Sequence, residues 1–398
     1  MKRILLITPL YPIPYPENNA TDVCHSFTKE WVRHGYDVLV IHFQPVHCSA
    51  WHLLIKLFGR QISNLVGGGN FYSKRLRKTE FYTMDGVPVF RVPVYNFIPH
   101  GRFPGKSVRK FISEVLNILK AKEFSPDAVT GHMLPLEIIP LLNETLHCRT
   151  FMVEHGVPKK LKERYPDYER LISSFSRYGF RSRGIWDDFE RSICKVPSPF
   201  ICYSGIPEDF PVKESNRTFR GPLSRFIYVG EFIRRKYPSK VVEALCSVYP
   251  DKEFILTYVG EGPDRQSIDD AVERNFAKES VRFPGRLPRR EITDQYDDAD
   301  CMIMISEHEA YGLVYLEAMA RGCITIGSRG EGIDGVIIDG VNGFLCDAGD
   351  SDALGKIISG INNLTPEERR SISDAAIKTA RSMTDAAVAE EYAEVLLS

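Results

Sequence analysis

The stretch Cys301–Gly327, CMIMISEHEAYGLVYLEAMARGCITIG, reads as a strand, a loop, a helix and a second strand. Cys301–Ser306 is an apolar run of strand length, Leu313–Arg321 is built of helix formers, and Ile324–Gly327 turns apolar and β-branched again. A strand followed by a helix and another strand is the unit of a parallel sheet, because parallel strands need a crossover. From Gly312 to Gly322 the only ionisable side chains are Glu317 and Arg321, so this helix is apolar on nearly every side and predicted to be buried. A carboxylate inside it is costly unless partners satisfy it. Either Arg321, one helical turn on, pairs with Glu317, or Glu317 waits for ligand donors such as ribose hydroxyls.

The same alternation extends in both directions. Upstream lie strands at Arg225–Val229, Phe254–Val259 and Val281–Phe283, with helices at Ser239–Tyr249, Asp264–Asn275 and Arg289–Ala299. Nearer the start, Arg3–Thr8 is a strand, Pro9–Asn19 a proline-rich loop, Thr21–His34 a helix and Asp37–Phe43 a strand. Strands are also expected at Val87–Val92, Ala128–His132 and Thr150–Glu154, and an amphipathic helix at Val108–Lys122. The prediction is an α/β protein of two doubly wound Rossmann-like domains, 1–204 and 205–382, with a C-terminal helix in 383–398 packing back on the first.

The chain has 398 residues and a net charge of −1. That balance hides a split: residues 1–200 hold 28 Lys+Arg against 18 Asp+Glu, and residues 201–398 hold 23 against 34. The first half therefore suits an anionic partner, whether nucleic acid, membrane or phosphorylated substrate, or else carries a solvated basic face. The 9 cysteines are scattered without a C-x-x-C pair, so a reducing cytoplasm is expected and a zinc site is not. MKRILLITPLYP imitates a secretory leader, but its apolar run is short and ends in prolines, and a first strand is the better reading. No G-x-x-x-x-G-K-[ST] phosphate loop is present.

Ligands of open parallel sheets sit beyond the carboxyl ends of the strands. There Gly312 opens the buried helix, leaving its first amides, at Leu313 and Val314, to an anion that the helix dipole favours. Glu309 precedes that helix, where a group beyond the phosphate would lie. One element thus spaces a carboxylate for a ribose, amides for a diphosphate and a carboxylate for a sugar. His132 and His155 end successive strands of the first domain. Trp51–Arg60 mixes apolar residues with cations and fits either a membrane interface or a helix packed on its own domain.

Glu309, AYGLVYL, Glu317, then Ala318-Met319-Ala320 and Gly322 resemble the signature of glycosyltransferase family four, the retaining GT-B enzymes whose two domains face across a cleft. Val281-Arg-Phe-Pro-Gly285, Asp298-Ala-Asp300 and Asp339-Gly-Val-Asn-Gly-Phe-Leu345 are similar to further family blocks. The resemblance covers residues 225–350 and is weaker over 1–160. It implies an acceptor-binding first domain and a second domain that binds a UDP- or GDP-sugar, with no cofactor, no metal and no nucleic acid. It implies Glu309, Lys236 and His132 as catalytic residues. Donor contacts would be Glu317, Gly312, Leu313, Val314, Tyr311, Arg235, Gly230 and Phe283, the last in the loop that holds the base. Asn18, Asn19 and His155 fall on the acceptor side. The chain departs from the family at Glu231, where an arginine is usual, so Arg234 or Arg235 is expected to supply that charge. It departs again at Glu17-Asn18-Asn19-Ala20, where many members carry Gly-Gly. The function implied is a hexosyl transfer to a glycan or lipid-linked acceptor, in surface polysaccharide or glycoconjugate synthesis, in the cytoplasm or peripheral on the inner face of the plasma membrane. The alternatives are a non-catalytic partner subunit and a nucleotide-sugar epimerase on the same fold.

Overall fold

The computed structural model describes residues 1–14, 22–47, 76–96, 101–158, 160–214 and 217–398. Asn18, Asn19 and the stretch 51–60 lie outside the described residues. The chain forms two units, one of Met1–Phe180, Trp186–Cys202 and Val388–Ser398, the other of Arg181–Ile185 and Tyr203–Ala387. The division thus falls at Cys202, two residues before the expected boundary, and assigns a short earlier segment to the second unit. Arg181 is the reason: its guanidinium donates to the Tyr203 carbonyl at 3.3 Å and to the Ser204 hydroxyl.

In the first unit β1 (Arg3–Thr8), β2 (Asp37–Val46), β3 (Glu80–Met84), β4 (Val87–Tyr95), β5 (Ala128–His132), β6 (Arg149–Glu154), β7 (Arg177–Phe180) and β8 (Pro199–Ile201) form one sheet. Its order is β3-β4-β2-β1-β5-β6-β7-β8, parallel except for the β3–β4 hairpin. Leu5 lies opposite both Leu39 and Val129, and Ile4–Ile7 are fully buried, as a central strand covered on both faces requires. The helix Asp385–Leu397 delivers Val388 onward to this unit, where the Trp31 indole donates to the Ala389 carbonyl at 2.7 Å.

In the second unit β9 (Arg225–Val229), β10 (Ile255–Val259), β11 (Val281–Gly285), β12 (Cys301–Ile303), β13 (Ile324–Ser328) and β14 (Phe344–Cys346) run parallel in the order β11-β10-β9-β12-β13-β14. The chain builds outward from β9 to β11, then returns to the other side of β9. The two neighbouring strands β9 and β12 therefore send their following loops in opposite directions, which opens a crevice between them. In the first unit β1 and β5 make the same switch. Strand β12 is shorter than expected: Met304–Ser306 leave the ladder while staying fully buried.

Candidate functional site

Both loops at the β9–β12 switch point carry charge. The first, Gly230–Lys236, ends in a single 3-10 turn over Arg234–Lys236. The second leads from Met304 to Gly312. They are tied together: the Glu307 amide donates to the Arg235 carbonyl at 2.7 Å, and the Tyr237 hydroxyl to the Glu307 carboxylate at 2.8 Å. Arg235 Nη1 returns bonds to the carbonyls of Glu307 (3.2 Å) and His308 (3.1 Å). At the centre Lys236 Nζ lies 3.1 Å from Glu309 Oε2, and Arg235 Nη1 lies 3.4 Å from the same oxygen. The Lys236 and Glu309 side chains are only 13% and 14% exposed, so solvent screens this pair less than a surface one. Gly230 stands beside it, a Cβ there falling 3.5 Å from Lys236 Nζ. Lys236 and Arg235 thus share one carboxylate oxygen, while the Glu307 carboxylate is engaged by Tyr237. Arg234 and Glu231 are exposed, and of the two candidate arginines it is Arg235 that joins Lys236.

Helix Leu313–Ala320 starts from this loop. Gly312 has φ 83, and a Cβ on it would lie 2.5 Å from the Tyr315 ring, so the glycine is required by the helix entry itself. The amides of Leu313 and Val314 fall in the first turn, outside the intrahelical ladder. Along the helix Glu317 is buried, but not with Arg321. Arg321 instead binds Asp297, with Nε 2.9 Å from Oδ1, and the Pro211 carbonyl at 2.5 Å. The partner of Glu317 is Arg289, whose Nε and Nη2 lie 2.9 and 2.5 Å from Oε1. The Tyr296 hydroxyl stands 3.5 Å from Oε2. The second glutamate is thus already ionically paired, with one oxygen less engaged than the other. Nothing in the local spacing pointed to Arg289, which is 28 residues away in sequence.

Other candidates have different surroundings from those expected. Tyr311 is buried: its hydroxyl is 3.9 Å from Met383 Sδ and its ring packs near Tyr203 and Arg181, so only its backbone faces the loop. The Phe283 ring lies parallel to Tyr258 at 5.3 Å, with the Arg265 guanidinium 3.6 Å over its centre, so the ring is already packed by two neighbours. Asp300 sits at the opposite end of the strands and accepts the Ser224 and Arg225 amides at 3.0 Å, a structural role. Among the described residues no group of three or more His, Cys, Asp or Glu side chains is gathered as a metal site would need.

In the first unit His132 ends β5 at the β1–β5 switch and is fully buried. Its Nε2 is 3.1 Å from the Tyr392 hydroxyl and its Nδ1 is 2.9 Å from His155 Nε2. His155 is partly exposed, while His132, expected to be catalytic, stands buried behind it.

Paired cations and a carboxylate thus stand at the switch point of a doubly wound sheet, with the buried Glu317 on the helix that follows. Residues 213–379 match the family described as "Glycosyl transferases group 1". N-acetyl-alpha-D-glucosaminyl L-malate synthase of Bacillus anthracis is 34% identical over 149 residues, covering 37% of this chain and 37% of that protein. The chain thus spans under two fifths of that curated relative's length in the matched stretch. Over the whole chain the fold is similar to sucrose-phosphate synthase from Thermosynechococcus elongatus, with TM-score 0.67, 15% identity and coverage of 99% and 98% of the two chains. It is equally similar to HepE of Anabaena, solved in complex with UDP, with TM-score 0.68, 14% identity and coverage of 100% and 99%. The fold is GT-B: α/β, with two Rossmann-like halves.

Proposed function

We propose that this protein is a retaining glycosyltransferase that moves a hexosyl group from a UDP- or GDP-sugar to a hydroxyl of a glycan or lipid-linked acceptor. The observation that carries this reading is the convergence of Lys236 and Arg235 on one oxygen of Glu309 at the β9–β12 switch point. The leaving group is a nucleoside diphosphate, and fixed positive charge where its negative charge grows lowers the barrier. Lys236, Arg235 and the amides of Leu313 and Val314 take the diphosphate, Glu317 takes the ribose hydroxyls, and Glu309 orients the sugar. The departing phosphate can accept the acceptor's proton, so the reaction needs neither a protein base nor a metal. The group 1 match over the second unit and the UDP bound by HepE support the donor class.

The acceptor is assigned to the first unit, on the side of His155, which is partly exposed just after β6. An anionic membrane is the surface its charge favours: Lys106, Arg109, Lys110 and Lys120 are exposed on the helix Gly105–Ala121. Among the described residues no helix is long and apolar enough to cross a membrane.

The test is consumption of UDP-glucose, UDP-N-acetylglucosamine, GDP-mannose and ADP-glucose, with the anomeric configuration of the product read by NMR. Release of nucleoside diphosphate with retained configuration is expected for one of them. A folded chain that binds no nucleoside diphosphate would overturn the reading, and a product still attached to its nucleotide would favour an epimerase.

A further inference from the structure

Glu309 is held by more than its salt bridges. One carboxylate oxygen of Glu331, on the loop after β13, accepts the Glu309 amide at 2.8 Å. The next residue, Gly332, donates its amide to the Glu309 carbonyl at 2.9 Å. Two consecutive residues thus grip both peptide groups of Glu309. The approach is close: a Cβ on Gly332 would lie 2.4 Å from the Tyr311 nitrogen. The grip is also needed, because the residue before Glu309, His308, sits in the left-handed region at φ 55, which a non-glycine residue does not hold without support. From the other side Arg235 binds the carbonyls of Glu307 and His308. Glu331 is half-buried and spends its carboxylate on the loop backbone, while Lys236 and Arg235 pair with Glu309.

We propose that Glu331 is a positioning residue, which fixes the loop turn at His308–Glu309 and so sets the Glu309 carboxylate against Lys236 and Arg235. The proposal rests on the reading of Glu309 as the residue that orients the transferred sugar. A negative charge placed behind Glu309 would gain nothing by itself; its use is geometric, since an acceptor is needed where a loop amide points inward. Glutamine keeps that acceptor and alanine removes it.

The experiment measures turnover and KM for whichever of UDP-glucose, UDP-N-acetylglucosamine, GDP-mannose and ADP-glucose the wild-type chain consumes, with Tm alongside. Glu331→Ala is expected to lower kcat by roughly 10–100-fold with KM within about threefold of wild type, because the donor's other contacts stay in place. Glu331→Gln is expected to recover most of that loss. In a double-mutant cycle Glu309→Gln with Glu331→Ala should turn over no more slowly than Glu309→Gln alone, the two acting through one carboxylate. If Glu331→Ala does not fold, Glu331→Asp, which withdraws the acceptor by one methylene, enters the same comparison. Equal kcat for Glu331→Ala and wild type, equal losses in the Ala and Gln variants, or additive losses in the cycle would each overturn the proposal. A Glu309→Gln variant with wild-type turnover would instead overturn the role of Glu309, and a chain that consumes none of the four sugars would overturn the functional reading beneath both.

Discussion

Lys236 and Arg235 meet a carboxylate before they meet any phosphate, and that changes what their neighbours' variants should do. Under the proposed function an incoming diphosphate would have to draw both cations from Glu309, which would then oppose binding. Glu309→Gln is therefore expected to raise nucleoside-diphosphate affinity a few-fold while transfer falls, and calorimetry beside a transfer assay reads both. Weaker binding in that variant would mean that Glu309 does not compete for the cations. Lys236→Ala should lose roughly 10²–10³ in turnover, as removal of a preorganised donor to a developing charge does elsewhere. Turnover at the wild-type rate would transfer the role to Arg235. At this scale the sequence was legible in part. The two glutamates stand out by residue type and spacing, whereas Lys236 is singled out only by the family resemblance. The ion pair of Glu317 does not, because an i,i+4 arginine was on offer and the fold used it for Asp297. A tertiary partner for a buried acid is chosen by which elements pack together, and local periodicity carries no record of that.

Elements explain why the site is rigid. Helix Leu313–Ala320 is apolar on all sides because it is wrapped by its own unit, and the Tyr315 hydroxyl anchors its first turn to the Met304 carbonyl at 2.7 Å. The Gly332 loop packs against the backbone of Ala310 and Tyr311, just ahead of that turn. Gly332→Ala is accordingly expected to cost roughly 1–3 kcal/mol in stability, read by denaturant unfolding, with a larger loss of turnover than Tm alone would explain. An unchanged midpoint would show that the two loops move apart without cost. Most strands and helices of the second unit were visible from apolar runs and helical spacing. Strands β7, β8 and β14 were not, since three or four residues give no period to read. The β3–β4 hairpin did carry a local sign: Asp85 and Gly86, at φ 45 and 81, form the two-residue turn that the strand twist prefers.

Across the whole molecule, burial of ionisable groups makes stability depend on pH. Glu154, at the end of β6, is buried, accepts the Tyr178 hydroxyl at 2.7 Å, and has its pKa pushed by burial from the ordinary 4.5 up to about 7. Its folded pKa lies above its unfolded one, so the folded state binds the proton more tightly. The contribution is fully present below pH 4.5, is lost as pH rises through about 7, and amounts to about 3 kcal/mol. Glu154→Gln should flatten that part of the stability curve; an unchanged slope between those limits would place the titration elsewhere. The two-unit plan followed from the repeated strand–helix alternation, while the exact seam did not, because Arg181 is tied forward in sequence. The first unit is also less legible, since both His132 and His155 end strands and nothing in the sequence shows that His132 is buried against Tyr392 while His155 is partly exposed.

The Trp31–Ala389 hydrogen bond has a consequence for how the chain is made. Phe27, Trp31 and Phe200 close around Tyr392, which belongs to a segment, Val388–Ser398, that leaves the ribosome after the whole second unit. At ordinary elongation speeds the interval between Cys202 and that segment is roughly 10–40 s. For that time the nascent first unit has its sheet but lacks the helix that covers its aromatic side, and it presents apolar surface of the kind that chaperones hold. The second unit, nearly continuous in sequence, has no such wait. The half that is begun first is therefore the half that is finished last.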